Sequence, residues 1–152
     1  MIVLVSNVGS SSYKFRVIDM SREETLARGG VDRIGNPPSA YAYSAVESAS
    51  SSGEMDAPDH LTAIEHALAF LTDNRDGAPI LPGLDKLGGI GFKTVFATGL
   101  TSPALIDERV VRGLEDRIPL VPVHNPAYIA SIRAFQRLAP LRNRSSDHNA
   151  AK

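Results

Sequence analysis

The opening of the chain constrains its fold more than any other segment. Ile2-Val3-Leu4-Val5 is a short apolar run suited to a buried strand. Tyr13 to Ile18 alternates, with Tyr13, Phe15 and Val17 on one face and Lys14 and Arg16 on the other, as in a half-buried strand. Between them, Ser6-Asn7-Val8-Gly9-Ser10-Ser11-Ser12 is a turn by composition. The first 19 residues therefore read as a β-hairpin. The polar turn Ser21-Arg22-Glu23-Glu24 then leads to a third strand around Thr25 to Gly30.

Gly35-Asn36-Pro37-Pro38 breaks regular structure, and Ala40 to Val46 suits a short strand. Ser48 to Gly53 reads as a low-complexity linker, and Asp56 and Pro58 mark a helix start. From His60 to Leu71 the residues Leu61, Ile64, Leu68 and Leu71 recur at helical spacing. Gly77 to Gly91 reads as a Gly/Pro-rich loop before a strand from Phe92 to Ala97. Asp107 to Ile118 predicts a helix with Val110, Val111, Leu114 and Ile118 on one stripe. Asn125-Pro126 predicts an N-cap and first helical proline for another, which carries Ile129, Ile132 and Phe135. Leu141 to Lys152 reads as a disordered tail, leaving residues 1–140 as one domain. This order describes an α/β sandwich with an antiparallel start.

Composition removes several function classes. The chain has 152 residues, 16 basic and 17 acidic, for a net charge of −1. A duplex-DNA binder or a polybasic membrane binder carries more positive charge, so neither nucleic acid nor membrane is expected as a partner. No cysteine is present, which excludes disulfides, thiolate metal sites and a cysteine nucleophile. No basic leader precedes the first apolar run, and no run approaches the length of a membrane span. A soluble cytoplasmic protein is expected.

Two segments have the chemistry of a site. Backbone N–H groups in the Gly-containing turn from Asn7 to Ser12 can form an anion nest, to which the serine hydroxyls add donors. Lys14 adds a mobile positive charge, and the Asn7 side-chain oxygen suits a hard cation, directly or through water. The plainer reading is a hairpin turn beside an exposed lysine, since the spacing matches neither a Walker A loop nor a dinucleotide fingerprint. Of the four histidines, His60 and His66 fall on a surface helix face and His148 in the tail. His124 sits in the rigid Pro122-Val123-His124-Asn125-Pro126 segment, at a helix entry that favours anions. A structural histidine is the plainer reading there too. The carboxylates Asp107, Glu108, Glu115 and Asp116 suit a solvated helix face, and Arg133, Arg137, Arg142 and Arg144 a helix end and tail.

Three ordered stretches carry a family resemblance. Val3 to Phe15 closely resembles the start of the acetate kinase family: an apolar strand, Asn-x-Gly-Ser-Ser-Ser, an apolar residue, Lys and an aromatic or aliphatic residue. Thr101 to Asp107 resembles the segment after that family's substrate-binding strand. Pro119 to Ala127 resembles its Pro-Leu-Ala-Pro-Leu-His-Asn-Pro signature. The resemblance covers residues 1 to about 140, roughly the first third of the family's length. It implies a ribonuclease H-like half-domain of the superfamily of acetate and sugar kinases, Hsp70 and actin: a mixed sheet with helices, incomplete here because the last strand, expected after Pro140, is replaced by polar tail.

By position, the resemblance implies that Asn7 is the Mg²⁺-linked asparagine. It makes Ser10, Ser12 and Lys14 phosphate-loop residues and His124 the active-site histidine. Val95 and Val123 would line the pocket for the acetate methyl group. Lys93 stands where the family carries an arginine that meets the acyl substrate, and Phe92 and Phe96 replace two histidines. That departure implies altered substrate handling or a degraded site. The implied reaction is Mg²⁺- and ATP-dependent phosphorylation of acetate or propionate to an acyl phosphate, by a full-length protein that is typically homodimeric. The chain itself is expected to be a truncated and inactive part. The alternatives are a non-catalytic remnant and a small phosphate-binding module.

Overall fold

Alternation carries the first half of the molecule into one sheet. In the computed structural model, which describes residues 1–46, 50–73, 79–93, 97–100 and 102–139, five strands precede the first helix. They are β1 (Ile2–Val8), β2 (Ser12–Asp19), β3 (Glu24–Asp32), β4 (Ser39–Ala45) and β5 (Ser51–Met55). Helix α1 (His60–Thr72), strand β6 (Leu87–Lys93) and helices α2 (Glu108–Glu115) and α3 (Asn125–Leu138) follow. The strand order is β5-β4-β3-β2-β1-β6, antiparallel throughout except that β6 runs parallel to β1.

One face of this sheet is covered. Leu4, Val8, Tyr13, Phe15, Val17, Ala27 and Val31 point into the core, where Ile64, Leu68 and Leu71 of α1 and Tyr128 and Phe135 of α3 meet them. Period 2 on the strands and period 3.6 on the helices bring these side chains into one layer. Burying each large one contributes roughly 1.5–3 kcal/mol. Phe15, Gly29 and Tyr43 lie in register on three neighbouring strands. Gly29 has no side chain, so the rings of Phe15 and Tyr43 meet across it with centroids 5.6 Å apart. Helix α2 packs on α3 through Val111, Leu114 and Ile132, a small cluster beside the main core.

The other face is open. Residues of odd number on β1 and even number on β2 turn outward, so Val5, Asn7, Lys14 and Arg16 are exposed.

Several expectations need correction. β1 runs to Val8 and β2 starts at Ser12, which shortens the turn to Gly9–Ser11 and places Asn7 on a strand. The stretch read as linker contains β5, because Ser51 to Met55 pair along β4; backbone pairing needs no apolar side chains. Gly77 to Gly91 is not all loop. A short 3₁₀ turn at Leu84–Lys86 leads into β6, and Gly88, Gly89 and Gly91 are strand residues beside β1. Glycine composition is a turn signal that pairing with a central strand overrides. Helix α2 stops at Glu115 and continues as turns past Ile118. His124, not Asn125, is the N-cap of α3, with Asn125 the first helical residue. Neither His60 nor His66 lies on a free surface: both rings are hydrogen-bonded and half-buried. Thr94, Val95 and Phe96, expected on a strand from the sequence, and everything from Pro140 on lie outside the described residues. Among the described residues no helix is long and apolar enough to cross a membrane.

Candidate active site

The turn between β1 and β2 has the Gly9 and Ser11 carbonyls engaged and the Ser10 and Ser11 amides open. The Ser12 carbonyl accepts from the Gly9 N–H at 2.8 Å, and the Ser11 carbonyl accepts from the Ile34 N–H at 2.9 Å. The Gly9 carbonyl lies 2.9 Å from His60 Nε2. A carbonyl can only accept, so His60 donates and its Nε2 carries a proton. The Ser10 and Ser11 N–H groups make no hydrogen bond among the described residues, and both residues are exposed. Acceptors fixed inward and donors left outward are the arrangement that holds an anion.

Strand register sets three polar side chains beside this turn. Asn7 pairs with Lys14 on β2 and with Lys93 on β6. All three are exposed on the open face. Neighbouring strands are roughly 4.8 Å apart, so the Asn7 backbone stands between those of the two lysines at about that spacing. The Lys14 stem lies along Gly30: a Cβ there would meet Lys14 Cγ at 3.0 Å. Phe92 turns the other way and packs edge-on against Phe135 at 5.5 Å, which fixes Lys93 outward.

This row suits an anion. A bare divalent cation at Asn7 would sit between two positive charges, with a single neutral ligand from the protein. No group of three or more His, Asp or Glu suited to a metal occurs among the described residues. Mg²⁺ fits here only when phosphate oxygens and water already surround it.

Val123 and His124 lie elsewhere in the chain, on the connection from α2 to α3. Val123 is 60% exposed and Leu120 69% exposed, so this connection presents apolar side chains outward. The His124 N–H is anchored to the Val121 carbonyl at 3.2 Å, and its ring lies 6.3 Å from that of Tyr128. The adjoining Asn125 is fully buried and donates its Nδ2 to the Leu114 carbonyl at 2.8 Å, which ties the end of α2 to the start of α3. The rigid segment is thus held by Asn125 and presents His124 beside it. No hydrogen bond or ring contact joins Val123 or His124 to the Asn7 row among the described residues. Val95 lies outside them.

A profile of the Acetokinase family matches residues 2–146. The chain belongs to the acetokinase family. It is 36% identical over 141 residues to the acetate kinase of Syntrophomonas wolfei, covering 92% of this chain and 35% of that protein. The acetate kinase of Methanosarcina acetivorans is also 36% identical, over 92% of this chain and 34% of its own length. The chain therefore spans about a third of the curated relatives it matches. Among solved structures, Porphyromonas gingivalis acetate kinase superposes with a TM-score of 0.81 at 31% identity, over 91% of this chain and 35% of that one. A propionate kinase from Francisella tularensis gives 0.76 at 26% identity, over 91% and 34%. This acetokinase chain is an α/β half-domain, a mixed sheet with helices, as the resemblance implied.

Sequence reasoning missed His60. Its place at the first position of α1, next to the turn, depends on the path of β3 to β5, and no local signal marks it. The facing of Lys14 was legible in the alternation of Tyr13 to Ile18. The registration of Lys93 with Asn7 was not.

Proposed function

We propose that these residues form the phosphate-holding side of an acyl-phosphate-forming kinase, which transfers the γ-phosphoryl group of ATP to acetate or propionate in the cytoplasm. A carboxylate oxygen attacks the γ-phosphorus, the bond to the ADP oxygen breaks, and ADP leaves. Catalysis of this kind is largely positioning and neutralisation of the charge on the transferring group. The observation that carries the reading is the row Lys14–Asn7–Lys93 beside the open amides of Ser10 and Ser11. Ser10 and Ser12 add hydroxyl donors, Lys14 balances phosphate charge, and the Asn7 side-chain oxygen would help hold Mg²⁺, which would supply further charge neutralisation when bound. Lys93 holds the acyl carboxylate with one compact charge, where an arginine would offer a planar fork. Val95 and Val123 border the methyl group, and His124 donates to the transferring phosphoryl oxygens.

The 152 residues do not turn over acetate and ATP on their own, in keeping with a chain that spans about a third of its relatives' length. Titration with acetyl phosphate, followed by amide chemical shifts, should move Ser10 and Ser11, and Lys14→Ala should weaken the effect severalfold. Acyl hydroxamate formation should stay at the level of the Lys14→Ala control. Unmoved Ser10 and Ser11 amides would sink the phosphate assignment, and turnover above the control would sink the claim of inactivity.

The exposed, hydrogen-bond-donating turn also favours a second reading, a phosphate-binding module without catalysis. Binding of inorganic phosphate as tightly as acetyl phosphate, with no contribution from Lys93, would support it.

A further inference from the structure

We propose that the open face of the sheet carries a second anion site, built on Arg16 and Arg28 and shaped for a small phosphate-bearing anion such as pyrophosphate. Arg16 on β2 and Arg28 on β3 stand directly opposite each other in the strand register. Ser44 on β4 is opposite Arg28 in turn. Like charges at directly opposed positions disfavour strand pairing unless something neutralises them.

Nothing among the described residues does so. Arg22, Arg33, Lys86, Arg133 and Arg137 each have a carboxylate within 4 Å. Among the described residues Arg16 and Arg28 have none. Asp32 and Glu24 stand four residues from Arg28 along β3 in either direction, roughly 13 Å of strand. The unpaired guanidiniums are therefore set apart within a chain whose total charge is −1.

The shape agrees with the charge. Two adjoining grooves, of about 510 Å³ and 370 Å³, share Arg16, Arg28 and Ser44 as walls. Among the described residues no carboxylate lines either of them. Ser52, opposite Ala42, closes the larger groove on the β5 side, and Lys14 stands at its end nearest the turn. Two guanidinium forks on opposed residues can each take two oxygens of a phosphate group, and the serines donate to the rest. Opposed strand residues have Cα atoms roughly 4.5–5.5 Å apart, close enough for both forks to reach one di- or trianion.

This site rests on Arg16 and Arg28, whereas the acyl-kinase reading rests on Asn7, the serine turn, Lys14 and Lys93; Lys14 alone borders both. The test titrates the 152-residue chain with inorganic pyrophosphate, and separately with a poly-glutamate peptide, following backbone amide shifts. Pyrophosphate should shift Arg16, Arg28 and Ser44 along a saturating curve. Arg16→Gln and Arg28→Gln should each weaken that binding at least tenfold, and Arg16→Lys severalfold, with melting temperatures no lower than that of the unmodified chain. Lys93→Ala should leave it within twofold of the unmodified chain. Shifts confined to Ser10 and Ser11, non-saturating shifts, Gln variants that bind like the unmodified chain, or tighter binding of the peptide than of pyrophosphate would each overturn the proposal.

Discussion

His60 Nε2 donates to the Gly9 carbonyl at 2.9 Å, joining the first residue of α1 to the turn between β1 and β2, 51 positions earlier. This contact removes one carbonyl from the mouth of the turn and leaves the neighbouring amides facing out. His60→Ala should therefore loosen the turn without unfolding the chain. Amide exchange at Gly9 should accelerate about fivefold, in keeping with about 1 kcal/mol for one hydrogen bond. His60→Gln, which keeps a donor, should recover part of the protection. Unchanged exchange in His60→Ala would show that the turn is held without it.

Asp59 caps α1, accepting from the Thr62 N–H at 2.8 Å and the Thr62 hydroxyl at 2.9 Å. The Thr62 backbone bond, more than any other contact, holds its carboxyl below the usual carboxylate range. Because the folded value is depressed, the stabilisation is present above the unfolded value of about 3.9 and is lost as pH falls through the folded one. Asp59→Ala should cost about 1 kcal/mol at pH 7, the usual scale for a cap. The gap to the unmodified chain should narrow progressively as pH falls below the unfolded value. Urea melts at pH 7 and in acid check this, and a gap that persists undiminished in acid would contradict it.

Gly29 separates Phe15 and Tyr43 in the sheet. A Cβ on it would come within 2.6 Å of the Tyr43 ring and even closer to the Ala42 carbonyl. Neither neighbour is the loose end of a flexible chain. Gly29→Ala should destabilise by roughly 1–3 kcal/mol, the range for overpacking. A thermal melt no lower than that of the unmodified chain would mean that β4 shifts freely.

Asn125 donates to the Leu114 carbonyl from a fully buried position. Asn125→Asp replaces the donor with an oxygen that, once ionised, would face a carbonyl without solvent. The variant should lose stability by about 1–3 kcal/mol at pH 7 and recover part of it in acid, where the protonated carboxyl can donate. Its folded value would be raised by burial, so the recovery should begin above the ordinary aspartate range. Denaturation followed from pH 7 to pH 4 reads the slope, and a flat profile would place the side chain in solvent.

The sequence alone determined the hairpin at the start, the outward facing of Lys14 and the three helices. Each rests on a period or a punctuation mark that one segment carries. It also supplied the family, through three ordered motifs. Tertiary structure alone decided three other things. The polar Ser51–Met55 and the glycine-rich Leu87–Lys93 become strands because β4 and β1 offer them backbone partners, an energy invisible in their side chains. Lys93 stands beside Asn7, and Arg28 opposite Arg16, because pairing register is set between segments distant in the chain. His60 reaches Gly9 because the path from β3 through β5 returns the chain to the turn. Local patterns say which way a side chain faces, and only packing of distant segments says what it faces.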